Sequence, residues 1–386
     1  MIVETADAGE LSEIGALLEL CSLPRIGPAR LRALLGDRTA LDAVEDLRSG
    51  RAATVAGLSA CRGVDATLIA TWQRHAAAAL DRAARGERPI GTDLLEAHTR
   101  AGVWLHVPDS QGTAELWESE PEPPAVLFGQ GAPLEPGPRR VGIIGTRRCS
   151  AYGRTVAQLL GTGLAAHGVA VVSGLATGID GIAQRAALDE GGPVIGVVGS
   201  GLDCVYPAAN RTLWADVAQY GTLLSEYPLG TPAVQWHFPA RNRIVAALSE
   251  VLVVVESGAS GGSMYTVDAA VERDRPVMAV PGPITSATSV GTNRLLADGC
   301  APACDVSDVL LALGEHAGSA AGAAVPEAPQ DNLGRQVLDE LIGGPRSVDE
   351  LALRVEATLA ELASSLGRLQ LSGWVTETGG WWEKSR

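Results

Sequence analysis

The sequence predicts an α/β protein: an extended Rossmann-like, doubly wound parallel sheet, preceded by a helical domain and followed by a winged helix. Three observations carry that prediction. From about residue 140, short runs of Val and Ile, each ended by glycine, alternate with amphipathic helical stretches, the pattern of a parallel sheet covered on both faces. Ahead of that region the chain is helical and rich in Ala and Arg. After the turn-forming stretch 316–330 the order is helix, helix, helix, hairpin. A length of 386 residues, at roughly 150 residues per domain, accommodates these parts. The expected boundaries are 1–88 for the helical domain, 89–315 for the sheet domain, 316–330 for a linker and 331–386 for the winged helix.

Within 1–88, Leu11, Ile14, Leu17 and Leu18 mark one apolar helix face and Leu31, Leu34 and Leu35 another. Between them, Leu23-Pro24-Arg25-Ile26-Gly27-Pro28 has the form of a helix-hairpin-helix (SAM-like) corner. Such a turn either offers amides to a phosphate or is an ordinary helical corner. Residues 1–138 carry 20 acidic and 12 basic side chains, which gives a nucleic acid little electrostatic attraction there. Sheet strands are expected at Val141–Ile144, Val169–Val172, Val194–Val198, Thr222–Leu224, Val251–Val255 and Val277–Val280. Shorter strands, including Val126-Leu127-Phe128, fall within 94–137. In the last domain, helices are expected over 333–342, 347–354 and 358–371. The alternating residues from Gly373 to Trp382, with paired glycines, then predict a hairpin.

Composition removes several function classes. A chain that is 46% hydrophobic and 19% charged is not disordered in bulk. The longest aliphatic run, Val251–Val255, is far short of the roughly 20 residues a membrane-spanning helix needs. Glu4, Asp7, Glu10 and Glu13 stand where a secretory signal would be basic and apolar, so no membrane association and a cytoplasmic location are expected. The six cysteines are scattered, without the second close pair of a zinc site, and read as reduced, mostly buried thiols. There are 29 Arg and one Lys, Lys384, so no P-loop or Schiff-base lysine is available and phosphate contacts fall to arginine. The net charge of -15 argues against nucleic-acid binding by bulk electrostatics. Residues 139–315, with 12 basic and 15 acidic side chains, are the least acidic part, and their arginines cluster beside glycines.

In an open parallel sheet, ligands bind beyond the carboxyl ends of the strands, where Gly-rich turns meet helix N-termini. Four such turns are visible: Gly145-Thr146-Arg147-Arg148, Ser173 to Asp180 with Gly174 and Gly178, Gly199 to Asp203, and Ser257 to Ser263 with Gly262. Neither a complete dinucleotide fingerprint nor a Gly-Lys-Ser/Thr is present. Phe238-Pro239-Ala240-Arg241-Asn242-Arg243 brings two planar guanidinium forks and an amide to a helix start. Arg147, Arg241 and Arg243 are therefore expected to form one phosphate-binding surface. Asp180 is expected to cap the helix after Gly178. Catalytic groupings are thin, and His237 reads as a packing or stacking residue. No cofactor and no metal are expected.

These blocks together resemble the DprA (Smf) family of DNA-processing proteins. The resemblance runs from Val141 through Gly299. It rests on Gly-Thr-Arg at 145–147, Val-Ser-Gly-Leu-Ala-x-Gly-Ile-Asp at 172–180 and Gly-x-Gly-Leu-Asp at 199–203. Tyr206-Pro207, Ser225-Glu226-Tyr227-Pro228, Phe-Pro-x-Arg-Asn-Arg-Ile at 238–244, Ala-Val-Pro-Gly at 279–282 and Gly291-x-Asn293 extend it. It implies a protein that binds and protects single-stranded DNA and helps load RecA recombinase, as in natural transformation and DNA recombination. It also implies a homodimer through the core. By motif position, Gly145, Thr146, Arg147, Ser173, Gly174, Gly178, Arg241, Asn242, Arg243, Gly262 and Ser263 would contact the strand. Gln184 replaces a usual His, and Tyr265 a smaller residue. The alternative is a nucleotide-binding module or a phosphoribohydrolase acting on nucleoside monophosphates, a related fold with a Pro-Gly-Gly-x-Gly-Thr-x-x-Glu turn. Here Asp268 stands near the position of that Glu.

Overall fold

The computed structural model describes residues 8–61, 63–108, 116–118, 120–137, 139–314, 331–371 and 374–384; the expected linker 316–330 lies outside them. The chain divides into two compact units, with the boundary in that stretch. The first unit opens with helices α1 (Ala8–Cys21), α2 (Pro28–Leu35), α3 (Ala40–Arg48), α4 (Ala56–Ala60), α5 (Ala66–Ala84) and α6 (Ile90–Arg100). Between α1 and α2 the Ser22, Leu23 and Ile26 amides bond inside the turn, the Pro24 carbonyl accepts from Trp72 Nε1 at 2.9 Å, and α2 begins after Gly27 without a side-chain cap.

The sheet follows, with β1 (Trp104–His106), β2 (Leu127–Gly131), β3 (Arg140–Ile144), β4 (Ala170–Ser173), β5 (Val194–Val198), β6 (Thr222–Ser225), β7 (Val251–Val254), β8 (Val277–Ala279) and β9 (Ala301–Pro302). Their order is β1-β2-β6-β5-β4-β3-β7-β8-β9. From β6 to β9 all pairs are parallel, while β1 and β2 are antiparallel additions at the β6 edge. Helices α7 (Ala151–Ala166), α8 (Ile179–Asp189), α9 (Arg211–Tyr220), α10 (His237–Leu248), α11 (Gly262–Val271), α12 (Val290–Ala297) and α13 (Val306–Ala312) cover the two faces.

The apolar strand runs follow directly from this layering. Along β3, Val141 and Ile143 enter a core shared with α7, α8, α9 and the N-terminal helices, while Ile144 enters a second core with α10, α11 and α12. β7 alternates the same way, Val251 and Val253 on one side, Leu252 and Val254 on the other. Period-2 side chains with both faces buried favour apolar residues on each side, hence the Val, Ile and Leu of β3 and β7, with Gly142 inside the first. Each such side chain stabilises the fold by about 1.5–3 kcal/mol relative to exposure.

The second unit contains α14 (Asn332–Leu341), β10 (Arg346–Ser347), α15 (Val348–Arg354), α16 (Leu359–Leu371), β11 (Val375–Thr378) and β12 (Trp381–Lys384). Its strands form a small antiparallel sheet in the order β10-β12-β11, as a winged helix requires. Ser347 and Glu350 form a capping box that starts α15. Leu338, Leu351, Leu362, Leu366 and Val375 fill a core of its own.

Candidate nucleic-acid interface

The crossover direction of the sheet reverses between β3 and β7, and the loops leaving the carboxyl ends of these strands part there. The result is a pocket of about 610 Å³, at the place where open α/β sheets bind ligands. Gly145, Thr146 and Arg147 follow β3; Gly174 follows β4; Arg241 and Asn242 come from α10; Gly262 and Ser263 begin α11. The structure brings these eight expected site residues to one cavity.

Arg241 is the buried cation of the pocket. Its side chain, only 6% exposed, passes under Gly174 and donates to the Val197 carbonyl. A Cβ at 174 would occupy the space of the guanidinium, so glycine is required there for close approach rather than for a turn. Burial lowers the Arg241 pKa to about 10, and the Asp180 carboxylate opposes that effect. Asp180 does not cap α8 as expected: Gly178 holds the cap position, while the buried Asp180 carboxylate accepts from the Gly174 amide at 3.3 Å. Burial raises its pKa and the field of Arg241 pulls the other way. Arg147 is exposed, its guanidinium carbon 5.4 Å from the Phe238 ring centroid, a cation–π distance. No described carboxylate pairs with it. Two cations face one buried carboxylate, and the pocket is positive in an acidic protein.

α11 starts at Gly262 without any side-chain cap, so its first amides and the positive end of its dipole face the cavity. Asn242 Nδ2 donates to the Gly262 carbonyl at 3.3 Å and ties the start of α11 to α10. The Ser263 and Ser257 hydroxyls are 2.9 Å apart and steady the same turn. α7, by contrast, is closed to anions. Its first turn is occupied by Ser150 Oγ, which accepts from the Gly153 amide, and by the buried Glu256 carboxylate, which accepts from Ser150 N and Oγ.

Three expected residues lie elsewhere. Arg243 is not in the pocket but forms a buried ion pair with Glu226, with the Glu122 carbonyl accepting a further bond at 2.6 Å. The reason is helical phase: two residues apart on α10 means roughly 200° apart, so Arg241 and Arg243 face opposite ways. Ser173 is fully buried and donates to the Ile143 carbonyl at 2.6 Å, which leaves no hydroxyl proton for a ligand. Gly178 lines a neighbouring groove. His237 is buried, bonded through Nδ1 to the Gly199 carbonyl and stacked on Tyr227 at 3.9 Å, and burial lowers its pKa, all consistent with packing. Gln184 is buried and bridges the Leu175 amide and the Ile195 carbonyl, a structural tie needing no titrating group. Sequence reasoning gave no role to Tyr206 and Phe238, whose rings lie 5.3 Å apart on the pocket wall. Their signal was an aromatic beside each basic or Gly-rich block. Asp268, the counterpart of the hydrolase Glu, is exposed on α11 and does not line the pocket.

A model of the family described as DNA recombination-mediator protein A matches residues 106–314, and a DprA winged helix domain model matches 321–380. The chain belongs to the DprA family. A DprA DNA processing protein of Bacillus subtilis is 37% identical, the match covering 58% of this chain and 75% of the relative. Protein Smf of Escherichia coli is 32% identical over 68% of this chain and 72% of its own length. The DprA structure from Streptococcus pneumoniae superposes with a TM-score of 0.60 and 27% identity, covering 77% of this chain and 97% of that one. The Helicobacter pylori DprA structure, described for its single-stranded DNA binding mode, gives a TM-score of 0.50 and 31% identity over 55% of this chain and 97% of that one. Among the described residues no helix is long and apolar enough to cross a membrane.

Proposed function

We propose that this DprA-family chain binds single-stranded DNA in the pocket between β3 and β7, and protects the strand until RecA recombinase is loaded on it. The observation that carries the reading is the convergence of Arg147 and Arg241 on the uncapped start of α11. Phosphates meet two cations and free amides there, while Tyr206, Phe238 and Tyr265 supply ring faces for unpaired bases. The binding described for the Helicobacter pylori relative supports the same reading. Two copies joined through their core units would set two pockets along one strand and raise avidity without new contacts. The reaction is binding without turnover, in the cytoplasm.

A gel-shift comparison of single-stranded and double-stranded DNA at several salt concentrations tests this. The single strand is expected to bind tighter. Replacing Arg147 and Arg241 together by alanine is expected to weaken binding and to flatten the salt dependence by about 0.7 per lost phosphate contact. Unchanged single-strand binding by that variant would reject the site. Release of base or phosphate from AMP or ATP that disappears in Asp268→Asn would replace binding by hydrolysis.

A further inference from the structure

A second groove, of about 950 Å³, opens beside the pocket, and Arg147 lines both. α7 and α8 form its floor. Gly178 makes the junction: with φ at 81° its backbone takes a left-handed form, and a Cβ there would overlap the Thr146 carbonyl, so the Arg147 loop lies directly on the start of α8. That loop is the ridge between the two depressions. On the groove side of the ridge, Arg148 and Arg154 are exposed and pair with no described carboxylate. Arg185 differs, since Asp216 and Asp189 neutralise it. Asp189 and Glu190 line the groove as well and end its positive stretch. No aromatic ring is among its described lining residues, so it has nothing to stack a base on.

Resting on the reading that the pocket takes single-stranded DNA, the geometry points to this groove as the continuation of the same strand's path. The strand leaves the pocket over Arg147, lays successive phosphates on Arg148 and Arg154, and diverges before Asp189 and Glu190. The pocket grips bases and phosphates; the groove holds backbone alone and is indifferent to sequence. Both arginines are exposed and pair with no described carboxylate, so a polyanion crossing Arg147 meets them without breaking an existing ion pair.

The test is a ladder of oligothymidylates of increasing length, measured by fluorescence anisotropy on the full chain and on the Arg148→Ala/Arg154→Ala variant. For the parent, affinity is expected to rise in a step once the oligomer outgrows the pocket. The variant is expected to keep the parent's affinity for the shortest binders, to lose the step, and to show a salt dependence shallower by roughly 1.4 on long oligomers, two phosphates at about 0.7 each. Arg148→Lys/Arg154→Lys should restore most of the step. A step that survives in the alanine variant would come from a second copy of the chain and overturn the groove. Equal loss on short and long oligomers would also overturn it. A parent that binds no member of the ladder would bring down the pocket reading itself.

Discussion

Arg241 and Gly174 work as one unit, a cation stowed beneath a backbone that has no side chain to exclude it. Gly174→Ala is expected to displace the guanidinium and to cost single-strand affinity about as much as Arg241→Ala. A charge-assisted bond contributes about 1.5–3 kcal/mol, so roughly ten- to a hundred-fold should be lost, read by anisotropy on samples whose circular dichroism matches the parent. Another buried residue sets a pH limit. His106 accepts at Nε2 from Trp117 Nε1 at 2.7 Å, and burial lowers its pKa from 6.5 to about 4. A group with a depressed folded pKa stabilises the fold above its unfolded pKa and loses that contribution as pH falls through the folded one. Stability is therefore expected to drop between pH 6.5 and about 4, by on the order of 3 kcal/mol at 1.36 kcal/mol per unit. His106→Gln, whose amide oxygen can still accept from Trp117, should flatten that part of the profile in urea titrations.

At the scale of an element, α10 has two jobs on opposite faces. One face aims Arg241 and Asn242 at the pocket; the other buries Arg243 against Glu226, whose pKa burial raises while Arg243 and Arg32 oppose it. Arg243→Ala should thus act on the fold. It leaves a buried carboxylate without its cation, a loss of about 3–5 kcal/mol. Arg243→Met with Glu226→Leu should recover most of that stability in denaturant unfolding and leave DNA affinity near the parent's. The contrast between Arg241 and Arg243 also shows where sequence reading stops. Strand positions were legible because a strand buried on both faces is built mainly of apolar residues, with Ser173 and Ser225 admitted by internal hydrogen bonds, and the observed β3, β5 and β7 begin and end within a residue of the Val and Ile runs. Which side of a helix an arginine takes depends on the phase of α10 against the sheet, and no local pattern encodes it. Ser173 was hidden for a similar reason: the acceptor that takes its proton, Ile143 O, comes from a neighbouring strand.

Across the whole molecule, charge and core are partitioned differently. The winged-helix unit has a closed core around Leu351, Leu362 and Leu366, while 316–386 carries 6 basic and 10 acidic residues. A fragment spanning 331–386 is expected to unfold cooperatively by itself and to bind single-stranded DNA weakly. A chain ending at residue 314 should retain the affinity of the full protein within a small factor. Failure of the shorter chain to bind would move the DNA site, in whole or part, onto the C-terminal unit. The helices of 8–84 share a core with one face of the sheet, so removing them is expected to expose apolar surface and cause aggregation.

The pairing of β3 with β7 also governs when binding ability is acquired as the chain emerges from the ribosome. Val141 meets Val171 early, but its other neighbour, Val251, arrives only after β4, β5, β6 and four intervening helices have been made. Until then one edge of the central strand stays bare, a template for mispairing with another nascent copy. Arg147 follows β3 and Gly262 follows β7, so the two walls of the pocket meet only when these strands pair. A nascent chain is therefore expected to gain the proposed DNA site only after β7 has joined β3.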